Sequence, residues 1–199
     1  MQFGIQTLFG GAVASQPDYV IAAGKALEER GFSHIWAAEH VVNFPRYASR
    51  YPYSDDGVPP FRTDTGILEP FTVLSFLAAH TRRIQLGSGI TILPQRNPLY
   101  VAKEWASLDV LSRGRAIMGV GIGWLREEME TVGIPFAERG PRTEESIRAI
   151  RSLWKGEPEA FNGQYFNWGP QNSNPKPVQK PGVLIVVGGN VEGAARRAA

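Results

Sequence analysis

Glu39 and His40 stand side by side at the end of a short β-like run, His34–Ala38. A carboxylate can orient an imidazole, and an imidazole titrating near neutrality can pass a proton, so the pair has the residue types of a general acid–base. Gly119-Val120-Gly121-Ile122-Gly123-Trp124 closes another apolar run. Glycines there admit three readings: a dinucleotide-binding turn, close packing of a helix on a sheet, or room for a flat ring against backbone. The third glycine comes one residue early for G-x-G-x-x-G, because position 124 is Trp, which argues against the first. Gly188-Gly189-Asn190 ends a further run just before a helix start, where backbone amides could meet an anion or Asn190 could simply cap. Arg96, in Gln95-Arg96-Asn97-Pro98, sets a cation beside a strand end, either for a phosphate or acidic substrate or as plain surface charge. Arg196 and Arg197 have the same two readings. No two of His34, His40 and His80 have metal-ligand spacing, so no metal site is expected.

The elements that must position these residues alternate. Extended runs fall at Gln2–Leu8, His34–Ala38, Ile84–Ile90, Ala116–Gly121 and Val183–Val187, and each stops in glycine or a polar residue. Between them lie helix-like stretches. The first has Ser15 as a cap, Pro17 in its first turn, a stripe of Tyr19, Ala22, Ala23, Ala26 and Leu27, and Arg30-Gly31 as its stop. Others run from Glu69-Pro70 to Thr81, over Leu99–Leu111 with a stripe of Val101, Trp105, Leu108 and Leu111, near Arg126–Val132, and over Thr143–Lys155. A hairpin is expected at Ala160–Trp168. A proline-rich and polar excursion occupies 41–68, a length that in a compact domain usually has a functional reason. Strand–helix alternation predicts a parallel sheet with right-handed crossovers, and such folds bind ligands at the carboxyl ends of the strands. The five strand ends, Gln6-Thr7, Glu39-His40, Gly89-Ile90-Thr91, Gly121 to Trp124, and Gly188 to Asn190, therefore belong to one expected site.

Composition narrows the partners. The 199 residues are 43% hydrophobic and 20% charged, enough for one globular domain, here 1–199. A formal charge of +2, with no basic tract, gives no reason to expect nucleic acid. Zero cysteines exclude disulfides, thiolate metal sites and a Cys nucleophile. Met1–Gly10 has no basic stretch ahead of an apolar core and no segment has membrane-spanning length, so a soluble, cytoplasmic protein with no membrane partner is the expectation.

Several motifs, in order, resemble the luciferase-like monooxygenase superfamily, in particular its actinobacterial branch that uses the deazaflavin coenzyme F-420. They are Trp36 to His40, Leu86 to Pro98, Ala102-Lys103-Glu104, Leu108 to Arg115, and Gly119 to Trp124, continued by Arg139-Gly140, Glu144-Glu145, Leu153-Trp154 and Pro175 to Pro177. The resemblance implies a (β/α)8 TIM barrel holding a flavin or deazaflavin across its carboxyl face, with a non-prolyl cis peptide at Gly89-Ile90 behind the ring. It implies that Gly89, Ile90, Thr91, Gly121, Gly123 and Trp124 line the ring, with Glu127 or Glu128 nearby. Gly188, Gly189 and Asn190 would approach the phosphate, and His40 with Glu39 would be the catalytic pair. The implied chemistry is hydride transfer between coenzyme F-420 and a small organic substrate, or monooxygenation if the cofactor is FMN, in a homodimer. About five of eight βα units are legible, so the chain is expected to be the first part of a longer barrel. An inactive half-barrel acting as a binding or assembly module is the alternative of a different class.

Overall fold

The computed structural model describes residues 1–198. In chain order, β1 (Gly4–Thr7), α1 (Gly11–Ala14) and α2 (Pro17–Glu29) precede β2 (His34–Ala37) and α3 (Pro70–His80). Then come β3 (Gln85–Ser88), the two-residue β4 (Thr91–Ile92), α4 (Pro98–Ser112), β5 (Ala116–Gly121), α5 (Arg126–Thr131) and α6 (Arg139–Trp154). The antiparallel pair β6 (Phe161–Asn162) and β7 (Asn167–Trp168) leads to β8 (Leu184–Val187) and α7 (Glu192–Ala198). Strands β1, β2, β3, β5 and β8 pair in that order, every pair parallel, and β4 runs beside the end of β5. The expected α/β pattern is present; between β2 and α3 the chain runs without helix or strand, and β6 and β7 form a short antiparallel pair.

One face of the sheet carries the helices. Ile35, Leu86, Met118 and Val120 meet Leu74, Leu77, Trp105 and Ile150 in a continuous core. β5 is buried along its whole length, as a strand covered on both faces should be. The opposite face curves around Trp36. A methyl on Gly87 would overlap the Trp36 ring, and one on Gly4 would lie 2.9 Å from Nε1. Small residues on the flanking strands therefore accommodate the indole.

Four helix details differ from the expected pattern. The α2 stripe is centred on Val20 and Gly24, with Tyr19 exposed, because α2 meets α3 at Gly24, over which Leu77 lies. In α4 the buried face ends in Ser112, while Leu111 is 71% exposed; at about 100° per residue, Leu111 falls off the line through Val101, Trp105 and Leu108. α6 begins at Arg139 rather than Thr143, continuing a 3-10 turn at Phe136–Glu138. Ser15 does not cap the start of α2, where Gln16 is the N-cap; it closes α1 instead, its hydroxyl donating to the Gly11 carbonyl.

Beyond β3 the chain crosses so close to β5 that a side chain at Gly119 would occupy the position of the Ser88 carbonyl oxygen. Gly119→Ala should therefore cost about 2 kcal/mol or more in denaturant unfolding, whereas Gly156→Ala, with open space around it, should stay within about 0.5 kcal/mol.

Candidate active site

A cavity of about 400 Å³ opens at the carboxyl ends of the strands. Its wall is assembled from Gln6 to Leu8 after β1, Ala38 to His40 after β2, Gly89, Ile90 and Ile92 around β4, and Gly123-Trp124 after β5, with Tyr51, Tyr53, Pro60 and Phe61 from the excursion. Four of the five expected strand ends thus converge. Gly188, Gly189 and Asn190 are exposed at the end of β8 and do not line this cavity.

The floor is the stretch Ser88–Thr91. Gly89 and Ile90 are joined by a cis peptide, and Gln6 Nε2 donates to the Gly89 carbonyl at 2.6 Å. Ser88 Oγ donates to the Gly119 carbonyl at 2.7 Å and Thr91 Oγ1 to Ser88 Oγ at 2.9 Å, so Thr91 is a fully buried brace rather than a wall residue. The glycines of the next strands serve this stretch too. A methyl on either Gly121 or Gly188 would come within 2.7 Å of the Ile90 side chain. These two glycines make room for Ile90, a correction to the expectation that Gly121 faces a ring directly. Gly123, with φ at 76°, takes the left-handed turn that brings Trp124 over the cavity.

Glu39 and His40 are not each other's partners. Successive residues leaving a strand point to opposite sides, and Glu39 turns inward, where it accepts from Ile92 N at 2.6 Å and pairs with the Arg96 guanidinium. Arg96 also meets Glu69 at 2.8 Å. The guanidinium is therefore committed within the fold, and the reading of Arg96 as a free phosphate or substrate cation is withdrawn. Burial pushes the Glu39 carboxyl above its ordinary pKa, against the pull of Arg96 and of the Ile92 amide.

His40 is held by Glu128, 88 residues away in sequence. Its Nδ1 lies 3.0 Å from Glu128 Oε2, while Glu128 Oε1 accepts from Val41 N at 2.6 Å and more weakly from Val42 N. Glu128 is 1% exposed. With Nδ1 donating to the carboxylate, Nε2 is the nitrogen left for a ligand. Phe61 and Trp124 flank the imidazole, at ring-centroid distances of 5.4 and 5.9 Å. Sequence reasoning named Glu128 only as nearby; a Glu in the first turn of a short helix looks like a dipole-compensating surface charge.

Its neighbour Glu127 anchors the excursion. It accepts from Ala48 N at 2.6 Å, Ser49 N at 3.2 Å and Ser49 Oγ at 2.7 Å. Burial alone would raise its carboxyl, but the bonds from Ser49 and the Ala48 amide overcome this and lower the pKa to about 2. Trp124 packs edge-on against Tyr47 and Tyr51, closing the cavity's outer side.

The luciferase-like monooxygenase family model matches residues 1–199. The chain belongs to that family. An uncharacterized protein of Mycobacterium tuberculosis is 34% identical over 91% of this family member and 62% of its own length. The F-420-dependent hydroxymycolic acid dehydrogenase of the same organism is 30% identical over 86% of the chain and 44% of its own length. Among solved structures, the monooxygenase RslO1 from Streptomyces bottropensis superposes with a TM-score of 0.77 at 27% identity, covering 94% of this chain and 53% of that one. The chain spans between 44% and 62% of the length of these relatives, and the fold they share is the luciferase-like TIM barrel. No helix among the described residues is long and apolar enough to cross a membrane.

Two outcomes follow from the carboxylates. Glu128→Ala should cost about 1–3 kcal/mol in unfolding free energy, since it leaves the Val41 amide and the imidazole without their partner, and Glu128→Gln should shift the His40 tautomer seen by nitrogen NMR. For Glu127 the folded pKa is lowered, so its stabilisation is complete above the ordinary value of 4.5 and disappears as pH falls toward 2. The stability difference between wild type and Glu127→Gln, measured by urea unfolding, should be constant above pH 5 and shrink steadily below pH 4.5.

Proposed function

We propose that this family member is an oxidoreductase that transfers a hydride between coenzyme F-420 and a small organic substrate, with His40 as the proton-transferring residue. The observation that carries the reading is His40 itself, lining a cavity of about 400 Å³ with one ring nitrogen fixed by a buried carboxylate. That volume lies in the roughly 300–1,000 Å³ range of small-molecule sites. A planar ring fits the residues present: the floor is backbone and Ile90, the side wall is Trp124, and Glu39 in the lining has its carboxylate taken up by Ile92 N and Arg96. The bound deazaflavin would supply hydride chemistry at its C5.

The protein's own share is positioning, dryness and a proton. Glu128 keeps Nδ1 protonated, so neutral His40 accepts a proton at Nε2, and the imidazolium returns it in the reverse direction. Tyr51, Tyr53, Pro60 and Phe61 would exclude water from the substrate side and favour an apolar or aromatic molecule. In this reading Glu39 acts through another group, by fixing Ile92 and hence the cavity floor. Likeness to a dehydrogenase that uses coenzyme F-420 favours oxidation of a hydroxyl-bearing substrate. A second reading, FMN-dependent monooxygenation, is favoured by the 27% identity to the monooxygenase RslO1. A homodimer in the cytoplasm remains part of the proposal.

Fluorescence titration with coenzyme F-420 and, separately, FMN tests the reading. Saturable micromolar binding of the deazaflavin is expected, and His40→Ala should leave that affinity within about threefold while lowering alcohol-dependent reduction of coenzyme F-420 by about 10²–10⁴-fold. Binding of FMN alone would select the monooxygenase, and binding of neither would leave a binding or assembly module.

A further inference from the structure

A second cavity, of about 370 Å³, lies beside the first within the excursion. Pro45, Tyr47, Val58, Pro59 and Phe61 give it apolar walls, and Arg62, Thr63 and Asp64 form its polar part. Phe61 belongs to both cavities, and its ring centroid is 5.4 Å from that of the His40 imidazole. Tyr47 lines the second cavity and packs edge-on, at 5.8 Å, against Trp124 of the first. The two spaces therefore share an aromatic wall.

That wall is held by packing at its centre. Pro59 and Pro60 have no N–H to donate, and among the described residues Pro59, Pro60 and Phe61 make no hydrogen bond. A half-buried ring fixed only by contacts can turn aside for a chain that runs from one cavity to the other. Charge in the second cavity is already matched. Arg62 and Asp64 form a two-bonded pair, Nε to Oδ1 at 2.9 Å and Nη2 to Oδ2 at 2.7 Å, which leaves no unpaired charge in the lining for an ionic group. Val58, by contrast, is 58% exposed, apolar surface that an apolar group would take out of water.

We propose that the second cavity takes the uncharged apolar tail of a substrate whose reacting carbon lies at His40, and that Phe61 sets the tail admitted. The substrate class is thus a long-chain alcohol or the matching carbonyl compound, rather than a short or charged one. In oxidation the carbinol carbon gives a hydride to the oxidised deazaflavin and the hydroxyl gives its proton to His40 Nε2, which leaves the carbonyl product. The inference rests on the redox reading above for the reacting carbon, and on the second cavity alone for the tail.

Turnover of unbranched alcohols from propan-2-ol to octan-2-ol with coenzyme F-420 tests it. In wild type kcat/KM should rise about threefold to fourfold per methylene once the tail reaches the second cavity. Val58→Asp sets a charge on that wall and should bring the ratio of octan-2-ol to propan-2-ol down to within about threefold of unity. Phe61→Ala, which removes the shared wall, should raise the ratio by about threefold or more. A flat series, or a slope that survives in folded Val58→Asp protein, overturns the tail site. If no alcohol is turned over, the redox reading fails by itself. A shift of the Val58 methyl NMR signals on adding octan-2-ol but not propan-2-ol then still supports the tail site, and no shift overturns it.

Discussion

The site depends on one close approach, that of the chain after β3 to the backbone of β5. Ser88 presents its carbonyl where a side chain at residue 119 would be, so the strand must have Gly119, and the Ser88 hydroxyl ties the two chains together at the Gly119 carbonyl. From that fixed point the segment can turn through Gly89 and Ile90 and run back alongside β5 as β4. Gln6, Thr91 and Glu39 then each take one polar group of the segment. The result is a cavity floor tied to the neighbouring strands by hydrogen bonds from within the protein.

Carboxylates, Glu128 and Glu145 buried and Glu127 and Glu28 half-buried, do most of the remaining positioning, and they do it through backbone amides. Glu128 receives Val41 and Val42, Glu127 receives Ala48 and Ser49, Glu145 receives Gln164, Tyr165 and Phe166, and Glu28 receives Arg82, Arg83 and Ile84. A carboxylate offers several acceptor positions and no donor, so it suits a loop that has left its strand with amides unpaired. This explains how a long excursion with no helix or strand of its own keeps a definite course. It also explains why Glu145 is sunk to 3% exposure without a paired cation: hydrogen bonds to the hairpin amides lower its pKa despite burial.

The parallel sheet was legible because each strand is an apolar run ending in glycine or a polar residue, a local signal. So was His40, for a reason equally local: a titratable ring at a strand end. What sequence could not reveal were relations across the chain. Glu39 next to His40 suggested a pair, yet alternation along an extended backbone separates them, and the true partner sits 88 residues downstream. Gly24 was invisible as a buried position because it carries no apolar side chain, although its smallness is what lets α2 reach Leu77. Gly121 was read as space for a ring and Gly188 as an approach to a phosphate, and the space beside both is taken by Ile90, a residue of the same site. Glycines at a strand end thus announce a close approach without saying what approaches.

The wall opposite the floor behaves as one mechanical unit. Trp124 touches His40, Tyr47 and Tyr51, and the next turn of chain supplies Glu127 and Glu128, which grip the excursion at Ala48–Ser49 and at Val41–Val42. A displacement of α5 would therefore carry the aromatic wall, the imidazole and both ends of the first half of the excursion together. Because His40 takes its orientation from Glu128 while Trp124 is fixed by Gly123 just upstream, the imidazole and the wall it faces are set by a single short segment, Gly123–Glu128. Precision at the imidazole then requires only that this segment be rigid, and its attachment to Ile92 and Met129 through the crowded Gly123 turn supplies that rigidity.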